Sequence, residues 1–516
     1  MKPAAVVRLA LAGTRTDTLR VVLTAASGAL ATVIMLLAAT VLAIPTHPLR
    51  DNDVSATYAN QYRIQLLVEP GLRGGTAFAL VLLTVPVLAL AAQCGRLGAP
   101  ARDRRLAAIR LAGATPGQAV VIAAAETGLA AALGSLAGLA AYLAGRVLLH
   151  RPDAEGTLLL PTDVLPSWWG IVAVCAGLPV LATLIAAGLL RRVVFTPFGV
   201  VRRTRTRAPR PWPVALIAVG VGLVWLAVPL GRWVERWPGN PVGPVLTTVV
   251  YLAGLTTAIG VVVSTGSISH AAGRLLHRYA RRPAALLAAR RLLADPWSGS
   301  RTFAVLMVCV LFGAGAVAVR ASFVTEFATR EASARWQARA AGIPYESVEN
   351  TNFYFDSLKL VDAAVAVATV LAAAGMLVAI AEGIVSRRRE YAALVATGVP
   401  RGTLARATLW QVFAPVIPAV VVALAAGAAL PRGMVGESHA GGGRTQYCVG
   451  GWDQCTDPGS PNLRTIDVPD FVHAVPVPFA DLALVGAGAL LAVLAVVGVG
   501  MLFLRGATAV EELRTT

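Results

Sequence analysis

The sequence is short of charge. Charged residues make up 14% of the 516 residues, against about 25% in an ordinary soluble domain. Hydrophobic residues reach 56%, and the mean hydropathy is +0.68. A chain of this composition cannot cover the surface of a soluble 53.3 kDa protein with charged groups. The composition therefore predicts a polytopic membrane protein.

Lysine is almost missing, since Lys2 and Lys359 are the only two in the chain. A phosphate-binding P-loop requires the pattern G-x-x-x-x-G-K-[ST], in which the lysine reaches the β- and γ-phosphates. Neither lysine stands in such a pattern. The chain itself is therefore not a P-loop ATPase.

The residue types that build catalytic or metal centres are also sparse. The six histidines are scattered, and no set of His, Cys, Asp and Glu has the spacing of a metal site. No Ser-His-Asp arrangement can be inferred either. We therefore expect no enzyme active site, no metal and no cofactor within this chain.

Of the five cysteines, Cys94, Cys175 and Cys309 lie in apolar runs and are expected to be packing residues. Cys448 and Cys455 lie instead in a polar loop on the predicted outer side, where disulfides persist. They are a candidate disulfide. The alternative is a pair of free thiols.

Basic residues dominate the charge that is present, with a net charge of +18. In a soluble protein this excess would suggest nucleic acid as a partner, but no basic cluster is interleaved with aromatic residues. Arginine collects in the cytoplasmic loops of membrane proteins, and this explains the excess better. We expect no nucleic-acid partner.

Ten apolar runs are long enough to cross a bilayer as helices. They cover about 21–44, 75–95, 118–146, 166–190, 212–230, 242–266, 302–320, 358–381, 404–430 and 479–504. With the N-terminus inside, 30 of the 45 basic residues fall in inner segments. The arginine distribution thus predicts a multi-pass protein of the plasma membrane with both termini cytoplasmic. Two outer segments stand out: a surface helix over Ser322–Ala341 and the longest loop, 431–478.

The chain contains an internal repeat. RDRRLAAIRLAGATPGQAV begins at Arg102 and SRRREYAALVATGVPRGTLA begins at Ser386. A shift of 285 residues places Gly113 on Gly398, and each segment joins one span directly to the next. The repeat predicts an all-α membrane protein of ten transmembrane helices, arranged as two four-helix units with a two-helix connector. The expected domains are 1–205 (spans 1–4), 206–283 (spans 5 and 6) and 284–516 (spans 7–10).

The second copy also carries a recognisable pattern, R-R-x-E-x-A-x-L-x-A-x-G, from Arg387 to Gly398. This pattern resembles the FtsX-like (MacB-type) permease domain of ABC transporters. The first copy has Arg105 in place of Glu390. Its Glu126 resembles the glutamate of the family's third span, where the second copy has Gln411. The resemblance covers roughly 75–203 and 290–514.

The resemblance implies the membrane subunit of an ABC transporter, without an ATPase site of its own. Its partners would be a cytoplasmic ABC ATPase, as a dimer that holds ATP and Mg²⁺, the lipid bilayer, and an amphiphilic or hydrophobic substrate that is exported or extracted. The two repeated segments would transmit force between ATPase and spans. The residues expected to couple the ATPase are Arg104, Arg105, Ala108, Ile109, Gly113, Arg388, Arg389, Glu390, Leu394 and Gly398.

Three alternatives stay open at this point. The two segments could be ordinary basic loops with a glycine turn. The protein could be a mechanotransmission or sensing protein that regulates an extracytoplasmic partner and transports nothing, or it could be a secondary carrier. The candidate intramembrane polar residues are Glu126 and Gln411. Glu126 bears on the carrier, but a hydrogen bond from it to a neighbouring helix or to interfacial water is the preferred interpretation.

Overall fold

The computed structural model describes most of the chain. The described residues are 15–45, 47–48, 57–58, 61–68, 70–95, 107–108, 110–194, 210–234, 242–342, 345, 352–386, 388–448, 460 and 463–507. All structural statements below refer to these residues. The inner end of a helix is the end on the side that the arginine distribution predicts to be cytoplasmic.

Helices make up nearly all of the described structure. They are α1 (Arg15–Ala43), α2 (Gln65–Val68), α3 (Pro70–Cys94), α4 (Pro116–Leu148), α5 (Trp168–Val194), α6 (Trp212–Val234), α7 (Val242–Tyr279), α8 (Pro283–Ala294), α9 (Pro296–Ala341), α10 (Asn352–Ser386), α11 (Arg388–Ala396), α12 (Arg401–Arg432) and α13 (Phe479–Ala507). Four strands form two antiparallel pairs, β1 (His47–Pro48) with β2 (Thr57–Tyr58), and β3 (Glu437–Cys448) with β4 (Leu463–Ala474).

Every predicted span coincides with a helix. Among the described residues, nine helices are long and apolar enough to cross a membrane. The fifth predicted span, 212–230, is α6, and the apolar stretch within it, Trp212–Ala227, is shorter than the other nine. The expectation of an all-α polytopic membrane protein is confirmed, whereas the count of ten spans is not.

The first four long helices pack around α1, which contacts α3, α4 and α5. Glycines set the spacing between α1 and α4. A Cβ at Gly134 would lie 2.3 Å from the carbonyl oxygen of Ala25, and one at Gly138 would lie 2.5 Å from that of Ala29. Only glycine permits this approach, as in other small-x-x-x-small contacts between membrane helices.

The last four long helices pack around α9 in a comparable way. It contacts α10, α12 and α13, and α13 packs on α10. A Cβ at Gly427 of α12 would lie 2.3 Å from the carbonyl oxygen of Leu311 on α9. A glycine of the third helix in each group therefore meets the backbone of the first helix.

The connector helices α6 and α7 pack mainly on each other, and α7 also contacts α8, α9 and α12. The connector therefore packs against the last four long helices. The two groups of four meet through α3 and α10, where a Cβ at Gly375 would lie 3.6 Å from the Cα of Leu90. The largest apolar core of the protein joins α7, α9, α10, α12 and α13.

The predicted surface helix Ser322–Ala341 is not a separate element. It is the outer part of α9, whose 46 residues span about 69 Å at 1.5 Å per residue, roughly twice the hydrocarbon thickness. No glycine or proline interrupts residues 316–341. Ion pairs such as Glu326 with Arg330 at 2.5 Å support the exposed turns.

The loop 431–478, expected to be irregular, contains the β3–β4 hairpin. This hairpin packs against the outer part of α9, where Thr329 lies 3.3 Å from Nδ1 of His473. Gly441 has a φ of 94°, and a Cβ there would lie 2.3 Å from the carbonyl oxygen of Pro469. This glycine therefore fits a place in the hairpin that a side chain could not occupy.

The outer loops of the first group form a smaller cap. The Arg63 amide donates to the Leu158 carbonyl at 2.9 Å, and the Tyr62 hydroxyl donates to Asp163 at 2.6 Å. Burial and this hydrogen bond raise the pKa of Tyr62 above its usual range. Beneath the cap, buried Arg73 donates to the carbonyls of Leu67, Ile44 and Val68 at 2.7, 3.1 and 3.0 Å.

We expect Arg73→Ala to destabilise the protein by about 2–3 kcal/mol, because three carbonyls, two of them in buried hydrogen bonds, lose a charged donor. Thermal unfolding of the purified protein in detergent measures the loss. Arg63→Ala is the matched control, since its contact with Asp153 is exposed and should contribute less than about 1 kcal/mol. Equal melting temperatures for the two variants would contradict the role given to Arg73.

Candidate functional site

The second copy of the repeated segment forms a short helix between two spans. The helix α11 follows the inner end of α10 directly, and α12 begins five residues after α11 ends. Gly398 turns the chain with a φ of 91°. Its amide donates to the Val395 carbonyl at 3.0 Å, and the Val399 amide donates to the Leu394 carbonyl at 3.1 Å. These bonds close the helix in a glycine C-cap that leads straight into α12.

The first copy ends in the same type of turn. Ala107, Ala108, Arg110 and Leu111 are helical, and Gly113 has a φ of 96°. The Gly113 amide donates to the Arg110 carbonyl at 3.0 Å. Thr115 then caps α4 by a reciprocal pair of bonds with Gln118. Of the predicted coupling residues, Arg104, Arg105 and Ile109 lie outside the described residues.

The two turns agree in position as well as in type. In both copies the next long helix begins three residues after the glycine, at Pro116 and at Arg401. An L-residue at either glycine would be strained at so positive a φ. Both copies therefore place a short helix and a tight turn between two long apolar helices.

One face of α11 is anchored in the protein. Leu394 and Val395 pack on a cluster built around Ile384 of α10 and Leu404 of α12, to which Leu287 of α8 also belongs. Leu394 thus holds α11 to its own chain, although the sequence alone assigned it to a partner surface. Arg388 and Arg389 lie in the first turn of α11.

Other positions of α11 are exposed. Glu390 and Ala393 are exposed. In the first copy Ala108 is exposed and Leu111 is 90% exposed. The sequence analysis did not single out Leu111, which follows Leu106 and Ile109 in the same basic segment.

Residues 363–509 match the family model of the FtsX-like permease C-terminal domain. This region is an FtsX-like permease domain. It contains most of α10 and all of α11, α12, the β3–β4 hairpin and α13. The resemblance predicted from Arg387–Gly398 is confirmed. Searches of curated proteins and of solved structures each find no match.

The FtsX-like permease domain carries Gln411 on α12, where its side chain is half-buried. The counterpart Glu126 on α4 forms an ion pair with Arg20 of α1, with Oε1 and Nη2 2.5 Å apart. The two side chains are 7% and 8% exposed. As preferred from the sequence, Glu126 bonds to a neighbouring helix, here through a charge-assisted pair that ties α1 to α4 near their inner ends.

On the outer side, the FtsX-like permease domain places Cys448 at the end of β3, and this cysteine is disulfide-bonded. Cys455 lies outside the described residues, so the pairing of these two cysteines stays a prediction. Within the described part of the chain, no group of three or more His, Cys, Asp or Glu could hold a metal ion.

We expect Glu126→Ala to destabilise the protein by up to about 3–5 kcal/mol, because the buried Arg20 guanidinium loses the Glu126 carboxylate. The double variant Arg20→Met, Glu126→Leu should regain most of that loss, since it removes both charges. Thermal unfolding in detergent measures both. Glu326→Ala, which breaks an exposed pair with Arg330, is the control and should cost less than about 1 kcal/mol. A double variant no more stable than Glu126→Ala would refute this account.

Proposed function

We propose that this protein is the membrane permease subunit of an ABC transporter. It couples ATP hydrolysis by a separate cytoplasmic ATPase to the export or extraction of an amphiphilic or hydrophobic molecule such as an antibiotic, a peptide or a lipid. The observation that carries this proposal is the FtsX-like permease domain at 363–509, in which α11 joins two long apolar helices. The chain has no P-loop lysine, so ATP and Mg²⁺ belong to the partner subunit.

The coupling step follows from how α11 is built. A partner that pushes on the exposed Glu390 face moves a helix joined to α10 on one side and, through the Gly398 turn, to α12 on the other. Leu394 and Val395 pass the same displacement to Ile384 and Leu404. Because packed side chains transmit strain with little compression, the push reaches both spans.

We further propose that the chain is an internal duplication, with units at 1–205 and 284–516 and a connector at 206–283. The paired turns at Gly113 and Gly398 support this. So do Arg146 at the outer end of α4, which donates to the Thr162 carbonyl at 2.5 Å, and Arg432 at the end of α12, which donates to the Val475 carbonyl at 2.5 Å. Each arginine tethers the segment that leads into the fourth helix of its unit.

Two units in one chain fit an ATPase dimer, with one coupling segment facing each subunit. In this arrangement both termini are cytoplasmic and the protein lies in the plasma membrane, where arginine-rich inner loops meet the ATPase. Among the described residues of the first segment, Ala108 and Leu111 offer the apolar contact. In the second, Glu390 offers the charged one.

The alternative function is mechanotransmission, in which outer elements regulate an extracytoplasmic partner without transport. One observation favours it: α9 is continuous over 46 residues and links the inner side to the β3–β4 hairpin. A helix without a break moves as a lever, so a displacement at its inner end reaches the hairpin.

We expect Leu111→Asp and Glu390→Ala each to reduce stimulation of the partner ATPase by the reconstituted permease by about tenfold, since each removes one contact with the ATPase worth roughly 1.4 kcal/mol. Leu159→Asp is the matched control, because this leucine is 57% exposed in an outer loop. Leu394→Asp is a poorer test, since it also disrupts the packing on Ile384. If Leu111→Asp and Glu390→Ala stimulate the ATPase as the control does, the coupling assignment fails.

Two measurements on the variant Thr445→Cys distinguish transport from mechanotransmission. Thr445 is an exposed residue of β3. In vesicles that contain both subunits, we expect ATP to drive movement of a fluorescent lipid analogue or an amphiphilic dye across the bilayer. Thiol labelling of Thr445→Cys from the outside serves as the second measurement. ATP-dependent change in labelling with no movement of any amphiphile would support mechanotransmission instead.

A further inference from the structure

A pair of adjoining cavities lies near the inner ends of helices from three parts of the chain. The larger has a volume of about 370 Å³ and lies between α3, α7 and α9. Ala92 and Gln93, in the last turn of α3, form one wall. Trp297 in the first turn of α9 and Ala304 form another. Since Ala304 lies eight residues beyond Pro296, the cavity reaches about 12 Å along α9 from its inner end.

The smaller cavity has a volume of about 150 Å³ and shares Val263 and Trp297 with the larger one. Its other walls include Arg210 and Trp212, at the inner end of α6. Gly266 of α7 allows the Trp297 ring to approach this helix closely, because a Cβ there would lie 2.8 Å from the ring. The indole therefore lies directly against the backbone of α7, beside both cavities.

The two cavities offer different chemistry. The larger is walled mostly by alanine, valine and the indole, with Gln93 and Thr265 as its polar residues. The smaller adds the guanidinium of Arg210, which is exposed and has no ion-pair partner among the described residues. An apolar slot that leads to a cation at the membrane surface complements a hydrocarbon chain that ends in an anionic headgroup.

We propose that these cavities bind one anionic phospholipid of the inner leaflet. Its acyl chain fills the slot between α3, α7 and α9, and its phosphate lies at Arg210. Such a lipid would contact the first four-helix group through α3, the connector through α7 and the last four long helices through α9. It would therefore hold the three parts together from the bilayer side, whether or not the protein transports.

The lipid proposal is tested with the whole chain, purified from vesicles of phosphatidylglycerol and phosphatidylcholine. Native mass spectrometry counts the phosphatidylglycerol molecules retained as detergent rises. We expect one retained phosphatidylglycerol in the unchanged protein. Arg210→Gln should weaken retention roughly fivefold, the effect of one arginine near a membrane surface. Ala92→Phe, at an exposed residue of the slot, should abolish retention by filling it.

Two control variants make the result specific. Arg281→Gln removes an exposed inner arginine that lines neither cavity, and Ala218→Phe adds the same bulk at an exposed residue of α6. Both should retain phosphatidylglycerol like the unchanged protein. The proposal is overturned if phosphatidylcholine is retained equally well, if Arg281→Gln weakens retention as much as Arg210→Gln, or if Ala92→Phe retains the lipid. Melting temperatures confirm that each variant is folded.

Discussion

The hydrocarbon interior of a bilayer offers no hydrogen-bonding partner to a peptide group, and the structure depends on this constraint. The chain meets it with long helices, which satisfy their own backbone groups. Because lipid is as apolar as leucine, hydrophobicity does not drive these helices together, and close packing and polar contacts must do so. Gly134 and Gly138 provide the first on α4, and the Arg20–Glu126 pair provides the second. On α12 the close packing recurs at Gly427, but the position equivalent to Glu126 holds Gln411.

The same constraint explains how much of the fold could be predicted from the sequence. Every predicted span falls on a helix because twenty consecutive apolar residues have few other stable states. The glycine turns were predictable, since Gly113 and Gly398 stand 285 residues apart in matching segments. The β3–β4 hairpin was not, because a polar loop with three successive glycines shows no strand periodicity. Nor was the division between anchored Leu394 and exposed Leu111, because Leu394 is held by residues distant in the chain, among them Leu287 of α8.

The two four-helix groups are alike inside the membrane and unlike outside it. Short loops joined through Tyr62 and Leu158 cap the first group. The second carries the outer part of α9 and the hairpin, joined through contacts such as Thr329 with His473. Equal displacements at the two inner turns would therefore meet different loads on the outer side. Under the proposed duplication, the two units of one chain would therefore respond differently on the outer side.

The inner ends of the helices join these features into one mechanical unit. Leu394 of α11 packs in the cluster that includes Leu287 of α8. A Cβ at Gly273 of α7 would lie 2.9 Å from Leu292, so α8 in turn lies against α7. The helix α7 also lines the two cavities near Trp297. Under the proposed coupling, a push on α11 would reach α7 through the cluster around Ile384 and through α8, and the proposed lipid between α7 and α3 would resist or relay that push.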